Sequence, residues 1–155
     1  MLQFRQYQSS DAEAVRELHI LGLEQMGAYF GEGPWDADLN QIEQVYLQNQ
    51  GEFLVGLEDG RLIAMGALQK TSEGLAEIKR MRVHPDYQGR GIGQLILSRL
   101  EEKARELGYT RLHLDTSTKQ LAAQHLYQKN GFYEVRRALI RGLDLIFFEK
   151  SLIFS

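Results

Sequence analysis

The sequence predicts a mixed α/β fold, with one sheet covered by helices on both faces. Three observations carry this. Strand-like and helix-like runs interleave in the order β-α-α-β-β-β-α-β-α-β-β. A strand-like run from Ala76 to Val83 passes through a glycine-rich turn into a helix with a clear apolar stripe. Finally, 155 residues suffice for one domain to bury its own core, so a single domain spanning 1–155 is expected.

The elements follow in order. Residues 2–7 read as a first strand. Ser10 or Asp11 can cap a helix running to about Met26, with Val15, Leu18 and Leu21/Gly22 on one side. Gly27 to Pro34 is a loop, and a short helix is expected from Asp38 to Leu47. Phe53 to Leu57 and Leu62 to Leu68 form a hairpin about Asp59-Gly60, since that dipeptide favours the positive φ of a tight turn. The next strand changes phase. Ala76 and Ile78 are apolar at even positions, Met81 and Val83 at odd ones. Either a β-bulge lies near Lys79-Arg80, or the strand is central and buried on both faces. Ile92, Ile96, Leu100, Ala104 and Leu107 make a helical stripe ending at Gly108. A strand at Arg111 to Asp115, a helix at Gln120 to Lys129, and two strands joined at Arg141-Gly142 complete the chain.

Composition narrows the function. There is no cysteine, which excludes disulfides and a thiolate nucleophile. His19, His84, His113 and His125 show no ligand spacing, so no metal is expected. No apolar run approaches the ~20 residues of a membrane helix, and the N-terminus lacks the form of a signal peptide. The expectation is a cytoplasmic protein without a membrane partner. The net charge of −3 hides an asymmetry: residues 1–60 hold 11 acidic and 2 basic side chains, residues 61–155 hold 10 and 16. The acidic half either suits a cationic partner or simply coats solvated helix faces. No basic patch is interleaved with aromatics, which argues against nucleic acid.

The most informative stretch is Gln88-Gly89-Arg90-Gly91-Ile92-Gly93. Glycines without Cβ atoms let a ligand approach the backbone, and the free N–H groups of a first helical turn attract anions. A phosphorylated ligand is expected here. The spacing fails the dinucleotide fingerprint, and no Gly-Lys-Ser/Thr ending is present.

The Q-x-x-G-x-G loop, Val83-His84-Pro85 before it and Tyr127-Gln128-Lys129-Asn130-Gly131-Phe132 downstream resemble the GNAT superfamily of acyl-CoA-dependent N-acetyltransferases. The resemblance spans nearly the whole chain. It implies a mostly antiparallel sheet of six to seven strands with about four helices, and transfer of an acetyl group from acetyl-CoA to a primary amine of a small molecule or peptide in a ternary complex. It implies that Gln88, Gly89, Arg90, Gly91, Ile92 and Gly93 cradle the pyrophosphate of coenzyme A, and that the backbone of Met81 and Val83 pairs with the pantetheine arm like an added strand. Gln120 stands where the family commonly has asparagine, and Lys129 lies near enough in sequence to approach the cofactor's phosphates or to stay solvated.

For the chemistry, the resemblance makes Tyr127 the acid that protonates the departing thiolate; without it, Tyr127 reads as a core residue of an amphipathic helix. Glu77, in Ala76-Glu77-Ile78, becomes the base that takes the amine proton; otherwise it pairs with Lys79 or Arg80. The acceptor site is expected around Tyr29, Phe30, Glu32 and Trp35, with Arg141. A non-catalytic acyl-CoA-binding module on the same fold is the alternative. A homodimer is also expected, because Leu145 to Phe148 and the tail Leu152-Ile153-Phe154 are apolar for an edge strand and a terminus.

Overall fold

The computed structural model describes residues 1–27, 31 and 34–153, with 34 and 35 by backbone only. The strands are β1 (Leu2–Gln6), β2 (Glu52–Glu58), β3 (Arg61–Ser72), β4 (Leu75–Val83), β5 (Arg111–Ser117), β6 (Tyr133–Ile140) and β7 (Leu143–Ser151). The helices are α1 (Ala12–Gln25), α2 (Ile92–Glu106) and α3 (Leu121–Lys129). One seven-stranded sheet runs in the order β1-β2-β3-β4-β5-β7-β6. Among the described residues only the β4–β5 pairing is parallel; the others are antiparallel.

Alternation along the central strands supplies the two cores. Phe53, Val55, Met65 and Ala67 face α1, packing with Val15 and Leu18. Leu54, Ala64, Leu68, Ala76 and Ile78 face the other way, packing with Ile92, Ile96, Leu97, Leu100 and Ala104 of α2. Leu107 falls just beyond α2 and is exposed, so the predicted stripe is one position too long.

The segment expected as a helix from Asp38 to Leu47 is not a regular α-helix. A 3-10 stretch spans Pro34–Asn40 and a single wide turn spans Glu43–Leu47, closed by Gln48 N–H donating to Glu43 C=O at 2.7 Å. Tertiary contacts set this shape. Leu39, Ile42 and Tyr46 are buried together, and the Tyr46 hydroxyl donates to the Asp38 carboxylate.

The phase change in β4 is a bulge. Met65 pairs with Arg82 and Ala67 with Lys79, so Arg80 and Met81 together face Gly66. Arg80 takes φ +58°, a conformation that an L residue holds only when its surroundings fix it. The sheet opens just ahead of the bulge: β4 and β5 pair only at Leu75↔Arg111, Ala76↔Leu112 and Glu77↔His113.

The apolar run at Leu145 to Phe148 lies inside the sheet rather than on its edge. β7 sits between β5 and β6, with Ile146 and Phe148 in the core, and Leu152 folds onto the same cluster. Ile146, Phe148 and Leu152 are apolar for core packing, whereas Ile153 is exposed. Phe154 lies outside the described residues.

Candidate active site

The gap between β4 and β5 opens into a cleft of ≈ 1000 Å³. Its head is the glycine turn. Gly89 and Gly91 both adopt φ +77°, and Gly91 precedes α2 directly. The helix closes its first backbone bond from Leu95 N–H to Gly91 C=O at 3.2 Å, so the amides of Ile92, Gly93 and Gln94 point out of the helix end unspent. A Cβ at Gly91 would meet nothing within 4 Å, so the space beside the turn is open. The turn is fastened to α3 by reciprocal amide bonds between Gln94 and Asn130, at 2.9 and 2.8 Å.

Most residues expected at the cofactor line this cleft: Met81, Val83, Gln88, Gly89, Gly91, Ile92, Gly93, Gln120, Tyr127 and Lys129. Arg90 does not line it. Its guanidinium lies over the Tyr87 ring, 5.1 Å from the centroid, and reaches the Asp86 carbonyl at 3.2 Å. Two carbonyls of β4 already accept from side chains: Val83 from Gln88 Nε2 at 3.0 Å and Met81 from Arg82 Nη1 at 3.1 Å. The Gln120 side-chain oxygen accepts from the Thr116 hydroxyl at 2.8 Å and the Ser117 amide at 3.3 Å, which turns its NH₂ outward as a donor.

Tyr127 and Glu77 both line the cleft. Tyr127 is buried edge-on against Phe132, 5.8 Å between centroids. Burial pushes its phenol up to about 12, and the nearby positive charge of Arg82 pulls it down only in part. The hydroxyl therefore keeps its proton at any ordinary pH. Glu77 is half-buried, and its carboxylate makes no hydrogen bond among the described residues. The expected ion pairs with Lys79 or Arg80 do not form: Lys79 donates to Gln69 at 3.2 Å, and Arg80 turns to Asp38. Burial raises Glu77 above the ordinary carboxyl range, while the field of Lys79 opposes the rise.

Tyr29, Phe30, Glu32 and the side chain of Trp35 lie outside the described residues, so the expected acceptor wall is represented by Arg141 alone, which does line the cleft. The structure adds residues that sequence reasoning missed. Asp115 lies across the cleft from β4; it is exposed at the rim, yet the protein around it still raises its carboxyl. Its position was readable, because Leu112 and Leu114 face the core and so turn His113 and Asp115 to the other side. A charged cluster also braces the bulge. Arg80 donates to Asp38 through Nε at 3.0 Å and Nη2 at 2.5 Å, and its Nη1 lies 3.6 Å from Asp36. Asp36 in turn faces His19 Nε2 at 2.9 Å. Burial, then Arg82 and Arg80, depress His19 to about 4, so the ring is neutral. No group of three or more potential ligands is placed to hold a metal among the described residues.

A sheet split beside a glycine turn, with an unpaired carboxylate and a proton-holding phenol at the split, defines a class: group-transfer enzymes that lay an extended, phosphate-bearing carrier into the sheet. The sequence profile of the acetyltransferase (GNAT) family matches residues 14–132. The chain is 34% identical over 113 residues to an IAA acetyltransferase of Azospirillum brasilense, covering 71% of this chain and 73% of that protein. Several other curated relatives are longer, and the match covers less than two thirds of their length. An acetyltransferase of the GNAT family from Staphylococcus aureus Mu50 superposes with a TM-score of 0.89 at 22% identity, over 98% of this chain and 99% of that one. A phosphinothricin acetyltransferase from Sinorhizobium meliloti, solved in complex with AcCoA, superposes with a TM-score of 0.83 at 19% identity, over 97% and 88%. The chain belongs to the acetyltransferase (GNAT) family and is an N-acetyltransferase.

Proposed function

We propose that residues 1–155 form one cytoplasmic enzyme domain that acetylates the primary amine of a small molecule, and that the β4–β5 cleft holds both reactants. The observation that carries this reading is the parting of β4 from β5 after Glu77, with the glycine turn at the end of the parted strand. The turn and the first amides of α2 take the pyrophosphate of coenzyme A. The pantetheine arm lies along Met81 and Val83, and its amides displace Gln88 and Arg82 from the two carbonyls. The Met81 amide polarises the thioester carbonyl.

The acceptor amine enters from the α1 side and must be uncharged to attack. Glu77, unpaired and raised by burial, takes its proton directly or through a water. Nitrogen bonds to the carbonyl carbon and the carbon–sulfur bond breaks. Tyr127 gives its proton to the departing thiolate, and the phenolate is refilled from the proton held at Glu77 or from water. A panel of primary amines assayed for thiol release from acetyl-CoA tests the function. Turnover of at least one amine, with saturation in both substrates, is the expected result. Tight coenzyme A binding with no release across the panel would leave a binding module instead.

A further inference from the structure

β4 carries two arginines on the α1 side of the sheet, and they differ in their company. Arg80 is neutralised by Asp38 and Asp36. Arg82, two residues on, has no carboxylate within 4 Å among the described residues, and the only hydrogen bond it makes there is from Nη1 to the Met81 carbonyl of its own strand. Its Nε–H is enclosed and donates to nothing. Arg82 is half-buried with its Nε enclosed, a costly place to hold a guanidinium without a close counter-ion, and burial lowers it to about 10.

The arginine is there because α1 makes room for it. A Cβ at Gly22 would stand 2.6 Å from Arg82 Cδ and 2.9 Å from Nε. Glycine is a poor residue for the middle of a helix. At Gly22 it lets the arginine lie flat across α1. One turn earlier, His19 presents a second unpaired group. Its Nε2 faces a carboxylate, which can only accept, so the proton is on Nε2 and Nδ1 carries a bare lone pair. That Nδ1 is buried and has no donor. Both side chains line the cleft. The cofactor does not account for them: Met81 and Val83 pack into the α2 cluster, on the face from which the glycine turn springs, while Arg82 lies against α1.

We propose that the acceptor amine carries a carboxylate, which pairs with Arg82, and that His19 Nδ1 accepts a hydrogen bond from the same molecule. An amino acid carries both a carboxylate and a hydrogen-bond donor. The inference rests on the transferase reading above for the reaction, but on binding for its own test.

The experiment compares each L-amino acid with its methyl ester, by thiol release from acetyl-CoA and by calorimetry with coenzyme A present. At least one acid should exceed its ester roughly 10-fold or more in kcat/KM, the scale of one hydrogen bond to a charged group. Arg82→Gln should erase that preference, mainly through KM, and Arg82→Lys should restore part of it. Gly22→Ala should erase it as well while the melting temperature holds or rises, because alanine favours the helix but evicts the arginine. Esters used as well as acids throughout, a preference that survives both Arg82→Gln and Gly22→Ala, or no acid bound or turned over would overturn the subsite. Arg82-dependent binding of an acid without thiol release would uphold it and overturn the transferase reading.

Discussion

The two walls of the cleft are made of different materials. The wall at α2 is backbone: a turn with two left-handed glycines and the unspent amides of a first helical turn. The wall at α1 is side chains: His19, Asp36, Arg80 and Arg82, with Asp38 bracing Arg80, brought together from a helix, a 3-10 stretch and a bulged strand. On the proposed reading, the backbone wall recognises what every acyl-CoA shares. A side-chain wall can be retuned one residue at a time, and the proposed acceptor subsite lies there. The difference also governs how each wall fails when altered.

The largest effect is expected at the backbone wall. Gly91→Glu puts a charged side chain into the open space before the α2 amides and strains a residue at φ +77°. The strain costs about 1–2 kcal/mol, which leaves the circular dichroism intact, while coenzyme A affinity by calorimetry falls by roughly 10³-fold or more as the anion site is filled. An unchanged affinity would move the cradle elsewhere.

Next comes the brace of the side-chain wall. Asp38→Ala strips Arg80 of its bidentate partner and Tyr46 of its acceptor. Removing one member of a buried ion pair costs about 3–5 kcal/mol, to be read by urea unfolding. The pH dependence has a definite sign. Burial pushes Asp38 up, but the hydrogen bonds and charge of Arg80 more than offset this and hold it below the ordinary range. Its contribution is therefore present above the unfolded carboxylate pKa of about 3.9 and lost as pH falls through the lower folded value. In Asp38→Ala this acid-side loss should shrink.

Tyr127→Phe tests the residue that both walls enclose. It should lower kcat by roughly 10²-fold with little change in acetyl-CoA affinity, since the ring still packs on Phe132. Because the phenol is pushed up to about 12, wild-type activity should hold through the ordinary tyrosine pKa near 10. A fall centred near 10 that disappears in Tyr127→Phe would show an exposed phenol instead. The smallest effect is expected from Glu77→Gln, below the roughly 10²-fold of a directly placed base because a water can still take the amine proton. Glu77 must be ionised to act, and burial raises its pKa, so the low-pH limb of wild type should lie above the ordinary glutamate value of about 4.3. That limb should vanish in Glu77→Gln. If it persists and disappears only when Asp115→Asn is added, the base is shared across the cleft.

The same contrast explains what could be read in advance. The glycine turn, the two hairpins and the bulge announce themselves locally, through φ requirements and broken alternation, so the order of elements along the chain and the glycine turn were legible. The side-chain wall was not. Nothing near Asp38 in sequence says that it will meet Arg80, 42 residues away. Gly22 read as a neutral member of a helix face, because its purpose is visible only once Arg82 lies across it. Asp115 was legible in phase but not in place, since the parallel register with β4 sets what it faces. The apolar run in β7 was read as an edge for a related reason: hydrophobicity reports burial without saying what does the burying.

The three rungs joining β4 to β5 divide the sheet into two ribbons, β1 to β4 and β5 to β7, held along one short seam. An acyl-CoA arm laid in the gap would act as a splint as well as a reactant, bonding to one ribbon while its phosphates grip the helix packed beneath it. The enzyme without its cofactor should then breathe at this seam, with fast amide exchange at the parted ends of both strands. The cofactor's departure after each turnover would loosen the sheet for the next.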